Sequence, residues 1–255
     1  MLYGLYLSAS GVIGSSHKQD VIANNLANSE TNGFRRDVPL FQERLTEAQG
    51  NRARFGQTNG LLEGLGGGFF ASPSRIDTGA GDFQPTGSNL DVAIEGEGYF
   101  AIDDNGTQRL TRNGGFRIED QHLVLSDGSG RKVLDPQHRP IVLDGNLTHL
   151  TEIAEDGQIT QAGQAVGRLG LFDAPDATLL TKQGGTLLNY PDVHQLAPST
   201  AGQFRSEFIE RANVDPTTEL ANLMEAQREL EANANMIRYQ DQTLSKLVNE
   251  VGRIS

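Results

Sequence analysis

Residues 23–34 read ANNLANSETNGF, and the fold turns on what this stretch does. Upstream of it, apolar residues recur at helical spacing. Within it stand Asn24, Asn25, Asn28 and Asn32, with Gln19 earlier on the same helix. Asparagine is a poor helix-interior residue, because its side chain competes for backbone hydrogen bonds. The stretch therefore reads as a helix end. Residues 28–33 are placed to satisfy the terminal carbonyls, with Gly33 or Asn32 taking a left-handed cap.

Working back from there, Leu2, Leu5, Ala9, Val12, Ser16, Gln19, Ala23 and Leu26 recur at alternating steps of three and four, a heptad seam that Ser16 and Gln19 interrupt. A helix over 2–28 spans about 40 Å. The other end of the chain carries a stronger signal. Asp215-Pro216 is an N-cap followed by proline at the first helical position. From there Leu220, Leu223, Gln227, Leu230, Ala234, Ile237, Asp241, Leu244, Val248 and Val251 repeat the same steps, with no Gly or Pro before Gly252. This helix spans about 55 Å. Each seam is too narrow to hold a lone helix in water, so the two stripes must be buried against each other, against neighbouring subunits, or both.

Between the helices the period changes. Leu90, Val92, Ile94, Phe100 and Ile102 share one parity of LDVAIEGEGYFAID, the alternation of a half-buried strand, with Gly96 and Gly98 marking a bulge or tight turn. Asn105-Gly106, Asp127-Gly128, Asp144-Gly145 and Asp156-Gly157 separate short apolar runs, among them HLVLSDG and RPIVLDG. This is the mark of antiparallel strands on tight turns. GRLGLFDAP reads as a further strand. The expected fold class is α+β: N- and C-terminal α-helices forming a coiled-coil-like layer, with a central all-β domain. The expected divisions are an N-terminal helix at 1–33, an extended Gly-rich connector at 34–79, the β domain at 80–195, a second connector at 196–213 and the C-terminal helix at 214–255.

Composition narrows the function. The chain has 255 residues and a formal charge of −12, which disfavours nucleic acid and anionic membranes as partners. It has no Cys, hence no disulfide, thiolate metal site or Cys nucleophile; that suits an oxidising compartment, although cytosolic chains also lack Cys. No apolar run reaches the roughly 20 residues of a membrane span. The first sixteen residues lack a basic start and an Ala-x-Ala site, so no cleaved signal peptide is expected. The five histidines make no H-x-H or H-E-x-x-H pair, there is no G-x-S-x-G elbow, and GLGGGF (64–69) lacks the Lys-Ser/Thr of a phosphate loop. DDNG (103–106) suits a hairpin turn better than a calcium loop. Neither an enzyme nor a cofactor or metal is expected.

Three stretches carry a resemblance. VIANNLANSETNGFRR (21–36) closely resembles the N-terminal signature of the bacterial flagellar rod and hook protein family, at Asn24, Asn25, Leu26, Ala27, Asn28, Thr31, Gly33, Phe34 and Arg35. QPTGSNLDVAIEGEGYF (84–100) is similar to its Gln-x-Thr-Gly segment and the strand that follows. NVDPTTELANLMEAQRELEANANM (213–236) is similar to its C-terminal helix, with Leu230 where the family often has an aromatic and Asn235 where a basic residue is common. The three matches fall in order along the whole chain. The resemblance implies a rod subunit, of proximal F-type or distal G-type, sooner than the longer hook protein. It implies an inner coiled-coil layer with a β domain outside, and self-assembly into a helical tube that transmits torque and encloses the export channel. It also implies export by the flagellar type III apparatus without cleavage, and a place in the basal body across the periplasm. The implied partners are further copies, other rod and hook proteins, the export apparatus and envelope rings, with no nucleic acid and no membrane insertion.

On that reading the amides have two roles to choose between: fixing register inside packed helices, where a charge is costly and an amide both donates and accepts, or local capping. Phe34 either anchors the outgoing chain or fills an intrachain pocket. The expected subunit-packing residues are Leu5, Val12, Asn24, Asn25, Leu26, Asn28, Gly33 and Phe34 at one end. At the other they are Leu220, Leu223, Gln227, Leu230, Asn233, Ile237, Leu244 and Val248. The weak seams also predict terminal segments that order on joining the assembly. A hook or hook-associated subunit, an envelope-binding β module on a helical stalk, an ordinary α+β protein and a hydrolase acting on cell wall are the alternatives.

Overall fold

The computed structural model describes residues 2–44, 68–199 and 201–251. The chain divides into two compact units. One comprises 1–26, 37–75 and 216–255, the other 27–36 and 76–215. The segments alternate, so the chain passes from one unit to the other four times.

The first unit is built from two helices and a ribbon. Helix α1 covers Leu2–Ala27 and α2 covers Pro216–Val251, starting at the Asp215-Pro216 signal. Gly4, Gly11 and Gly14 lie inside α1, each costing about 1 kcal/mol relative to Ala in helix propensity, so packing rather than propensity must hold this helix. Strands β1 (Asp37–Glu43) and β2 (Phe69–Ile76) pair as a two-stranded sheet. Bonds from Arg44 N to Gly68 O and from Asp77 N to Arg36 O, both 2.9 Å, bracket the ribbon and make it antiparallel.

The second unit is mostly β. Its strands are β3 (Phe83–Pro85), β4 (Val92–Glu95), β5 (Tyr99–Asp104), β6 (Thr107–Thr111), β7 (Phe116–Glu119), β8 (His122–Leu125) and β9 (Lys132–Val133). They continue with β10 (Thr151–Ile153), β11 (Gln158–Gln161), β12 (Gln164–Arg168), β13 (Leu171–Phe172), β14 (Thr181–Lys182), β15 (Leu187–Asn189), β16 (Gln203–Ser206) and β17 (Phe208–Glu210). The main sheet runs β14-β15-β6-β5-β9-β8-β7, with β13 also on β5. β10-β11-β12 form a smaller sheet, and β16-β4 and β17-β3 are separate pairs. The strand pairs of this unit are antiparallel. β5 is covered on both faces: Phe100 and Ile102 join a core with Leu90, Val92 and Ile94, while Tyr99 and Ala101 join a second core with Leu110, Phe172 and Leu188. The five residues read as one parity thus enter one core.

Some readings of the middle region hold and others need correction. LDVAIEGEGYFAID makes β4 and β5, and the tight turn expected at Gly96 and Gly98 stands between them, with φ of 98° and 130°. Asn105-Gly106 does turn β5 into β6, with both φ positive (54° and 86°) and Gly106 N donating to Asp103 Oδ1. Asp144-Gly145 is no hairpin: Asp144 accepts from Asn146 N and starts a 3-10 turn over Gly145–Leu150. RPIVLDG makes only isolated bridges, Leu134 with Pro140 and His122 with Val142, because Pro140 has no N–H to extend a ladder. GRLGLFDAP splits between β12 and β13. The two stretches read as connectors carry strands, β1 and β2 in one, β16 and β17 in the other. QTNGLLEGLGGG lies in 45–67, outside the described residues, apart from Gly68.

Candidate assembly surface

The two terminal helices touch through small and polar residues. A Cβ built on Gly4 would stand 2.8 Å from Gln240 Nε2, and one on Gly11 2.8 Å from Asn233 Cγ. Asn233 Nδ2 lies 3.5 Å from Ser15 Oγ, and Lys18 Nζ pairs with Glu229 at 3.3 Å. One set of numbers falls as the other rises, so the pair is antiparallel. Continued at the same three-and-four spacing, the stripe these contacts mark along α1 is Gly4, Ser8, Gly11, Ser15, Lys18, Ile22 and Asn25, of which Ser8, Gly11, Ser15, Ile22 and Asn25 are buried. Along α2 the matching stripe is Glu219, Leu223, Ala226, Leu230, Asn233, Ile237, Gln240 and Leu244, with Glu219 and Ala226 buried and the rest half-buried. Both stripes step by three and four, and small residues let the axes approach closely.

The expected α1 seam sits one residue past this stripe, whereas the expected α2 seam is half on it. On α1, Leu5, Val12 and Leu26 are only half-buried. On α2, Asn233 touches α1 and Leu223, Leu230, Ile237 and Leu244 fall on its stripe half-buried, whereas Leu220 is 49 % exposed, Val248 is 72 % exposed and Gln227 is open. At about 100° per residue, positions one step past each stripe turn to the same side of an antiparallel pair. Leu5, Val12, Leu26, Leu220 and Val248 therefore belong to one face of the pair.

The opposite side of α1 carries the ribbon. A Cβ on Gly14 would sit 1.9 Å from Phe69 Cε2, and one on Gly68 2.7 Å from Ser10 Oγ. Phe41 stands edge-on to His17 and to Phe69, with ring centroids 6.2 and 5.3 Å apart. Arg44 donates to the Tyr6 hydroxyl and lies over the Tyr6 and Phe70 rings at 5.1 and 5.8 Å.

The amide run has several local tasks. Asn25, 1 % exposed, pairs with the peptide of Asp37 at both ends: its Nδ2 donates to Asp37 O at 2.9 Å, and Asp37 N donates to its Oδ1 at 2.8 Å. This pins the last turn of α1 to the first residue of β1. Asn28 accepts at its carbonyl from Thr31 N and at its side chain from Thr31 Oγ1. Asn24 is exposed and makes further interactions of its own. Gly33 takes the left-handed φ, +68°. Its N–H donates to Glu210 O at 2.7 Å, and a Cβ there would meet Asn113 N at 2.3 Å. Phe34 fills an intrachain pocket: it is fully buried with Ala212 and Val214, and Lys182 Nζ lies 3.8 Å above its ring.

Beneath this turn lies a charge cluster that the sequence did not announce. Glu210 is wholly buried and meets Arg35 Nη1 at 2.7 Å with one oxygen and Arg112 Nη1 at 3.2 Å with the other. Gly81 N donates to it at 3.1 Å. Arg35 also donates to Gly79 O, and Arg112 to Ile94 O and Gly96 O. Burial pulls the Arg112 guanidinium below its ordinary pKa while Glu210 opposes the shift. Burial likewise raises the Tyr99 phenol, against the pull of Arg112. Asn213 completes the junction: its Oδ1 accepts from Arg36 N at 2.7 Å, its Nδ2 donates to Asp77 O and Gly79 O, and its N–H donates to Phe34 O. Burial of Glu210 has no local sequence signal. The Gly4/Ser8/Gly11/Ser15 spacing was readable, had small residues been weighted like large ones.

Among the described residues no group of His, Cys, Asp or Glu is arranged to hold a metal, and no helix is long and apolar enough to cross a membrane. A cavity of about 520 Å³ in the second unit is walled by Pro136, Arg168, Leu171, Pro198 and Phe204; its floor is the β core.

Comparison with known proteins gives three family matches along the chain. Residues 5–35 match the flagella basal body rod protein model, 93–161 the flagellar hook protein FlgE/F/G D1 domain, and 205–250 the flagellar basal body rod FlgEFG protein C-terminal model. A flagellar basal-body rod protein FlgG of Bacillus subtilis is 32 % identical over 270 residues, covering 98 % of this chain and 99 % of that one. FlgF of Caulobacter vibrioides is 29 % identical over 98 % of both chains, and FlgG of Buchnera aphidicola from Acyrthosiphon pisum is 30 % identical over 97 % of this chain and 99 % of its own.

Proposed function

The chain belongs to the flagellar rod and hook protein family, as a basal-body rod protein of F or G type, and on that premise we propose how its terminal helices perform a structural, non-enzymatic task. The protein is a subunit of the rod and assembles with other rod proteins. The helix pair forms the inner, coiled-coil-like layer of a helical tube that transmits torque and encloses the export channel. The subunit leaves the cell through the flagellar type III apparatus without cleavage and stands in the periplasmic stretch of the basal body, with envelope rings among its neighbours.

One observation carries this reading. The pair closes through glycine, serine, asparagine and glutamine beside half-buried Leu223, Leu230, Ile237 and Leu244, and on one face it leaves Leu220 and Val248 exposed with Leu5, Val12 and Leu26 half-buried next to them. A solitary protein gains nothing from that arrangement, whereas a subunit buries the face against a neighbour, at about 25 cal/mol per Å² of apolar surface. The same economy makes the lone pair weakly held, so helicity should rise on assembly.

The test is Leu220→Asp, at a side chain 49 % exposed. Cells carrying it should build no rod, while the purified variant keeps the wild-type melting of its β unit. Normal rods containing the variant would sink the reading. Leu223→Asp and Leu244→Asp should also block assembly and leave the β unit folded.

A further inference from the structure

One string of residues occurs twice in the second unit, and the assembly reading leaves it unused. Residues 103–107 (DDNGT) and 144–148 (DGNLT) both read Asp-x-Asn-x-Thr. Asn105 and Asn146 are the only asparagines of the chain followed two places on by Ser or Thr. Asn-x-Thr is the acceptor sequence for N-linked sugar, and its structural requirement is a place on the surface. Both copies meet it. Asn105, Gly106 and Thr107 are exposed where β5 turns into β6, and Asp144, Asn146 and Thr148 are exposed at the 3-10 turn over Gly145–Leu150.

Turn geometry does not account for the repetition, because the two backbones differ. The first copy is a two-residue hairpin loop, with φ of 54° at Asn105 and 86° at Gly106, and Asp103 Oδ1 accepts from Gly106 N at 2.7 Å. In the second, Asp144 Oδ1 accepts from Asn146 N at 2.9 Å and from Asn146 Nδ2 at 3.0 Å, and Thr148 Oγ1 donates to Gly145 O at 2.8 Å. Positive φ favours asparagine at 105; at 146 φ is not positive, and nothing of that kind asks for one. What the copies share is an exposed side-chain amide, a hydroxyl two residues after it and a carboxylate two residues before it. The Asn105 amide has no hydrogen-bond partner among the described residues.

Resting on the rod reading above, which takes the subunit out of the cytoplasm, we propose that Asn105 and Asn146 are acceptors of N-linked glycan. The donor is a sugar carried on a polyprenyl diphosphate, and a membrane-bound transferase joins the two. The asparagine Nδ2 attacks the anomeric carbon. A carbon–nitrogen bond forms as the bond from that carbon to the diphosphate oxygen breaks; the lipid diphosphate leaves with the electron pair, and one amide proton passes to a base of the transferase. An amide nitrogen is a weak nucleophile, and a carboxylate drawing on its N–H, as Asp144 does at Asn146, raises its electron density. The attached glycan is bulky and hydrated, so both turns face solvent in the assembled rod.

Mass spectrometry of rods purified from the protein's own cells tests it. The two asparagines fall on separate tryptic peptides, since Arg109 and Lys132 lie between them. Each peptide should carry a saccharide and release sugar ions on fragmentation. Asn105→Gln should strip the sugar from the first peptide and leave it on the second, and Asn146→Gln the reverse. Thr107→Ala and Thr148→Ala keep the asparagines and their turn conformation, and each should strip the sugar from its own peptide, which non-enzymatic glycation would not do. Bare asparagine at both positions in assembled rods overturns the proposal and leaves the rod reading standing. Sugar that persists on the Thr107→Ala and Thr148→Ala chains overturns it as well. The rod reading itself is tested separately, by Leu220→Asp.

Discussion

Replacing Glu210 by glutamine changes charge at nearly constant shape, and the consequence can be worked from the cluster around it. The wild-type carboxylate accepts from two guanidiniums, at 2.7 and 3.2 Å, and from Gly81 N at 3.1 Å. Arg35 and Arg112 have side chains only 2 and 5 % exposed, and Glu210 none, so water does not replace the lost charge. In Glu210→Gln the two cations keep their carbonyl partners at Gly79, Ile94 and Gly96 but face each other across a neutral amide, one of whose ends is itself a donor. Breaking a buried pair in this way costs about 3–5 kcal/mol. For a β unit formed by 27–36 and 76–215, that is a drop of about 6–20 °C in Tm. Thermal unfolding followed by near-ultraviolet circular dichroism reads it, and the drop should hardly change with salt, because the site is closed to ions. Replacing all three, with Arg35→Met, Glu210→Leu and Arg112→Met, should recover part of the loss and not all, since the carbonyls of Ile94 and Gly96 then lack donors. A Glu210→Gln chain melting within about 2 °C of wild type would refute the reasoning.

Other expectations follow from the same junction and from the sheet. Gly33→Ala should destabilise the second unit by about 1–3 kcal/mol, from the left-handed φ together with the approach to Asn113, measured by urea denaturation. Asn25→Ala removes both bonds to the Asp37 peptide, at about 1–3 kcal/mol; hydrogen exchange should quicken at Asp37 and in the last turn of α1 and not in β5. Asp104 is held below the ordinary carboxylate value by its bond to Arg131 and then by Arg109. A lowered folded-state pKa stabilises above the unfolded value near about 4 and is lost as pH falls through the folded one. The stability gap between wild type and Asp104→Asn should therefore be full at neutral pH and close below that value, as read from melts across pH.

What the sequence made legible follows from local chemistry. Asp215-Pro216 starts α2 because the cap and the missing N–H act within one turn. Asn105-Gly106 turns the chain because both residues accept positive φ. The parity of Leu90 to Ile102 survives a break at Gly96 because the strands on either side face the same core. What stayed hidden depends on partners distant in sequence. Glu210 is an ordinary surface glutamate by type until Arg35 and Arg112 are folded around it. On α1 the seam is displaced by one residue because bulk apolar side chains dominate a heptad count, while the close contact belongs to Gly4, Gly11 and Ser15; on α2 Leu223, Leu230, Ile237 and Leu244 fall where the count puts them. Phe34 and Gly33, grouped with the packing residues by their motif, are enclosed by their own chain; Leu220 and Val248 are the ones left open. Asp144-Gly145 shows the limit of dipeptide rules, since the same aspartate caps a 3-10 turn as readily as it opens a hairpin.

Electron cryo-microscopy of assembled rods at side-chain resolution looks straight at the face on which the account depends. Leu5, Val12, Leu26 and Leu220 should be covered by an adjacent subunit, with Gly11 and Asn233 still touching within each copy. A rod in which those side chains line open solvent, or in which the two terminal helices of one chain have parted, would contradict it.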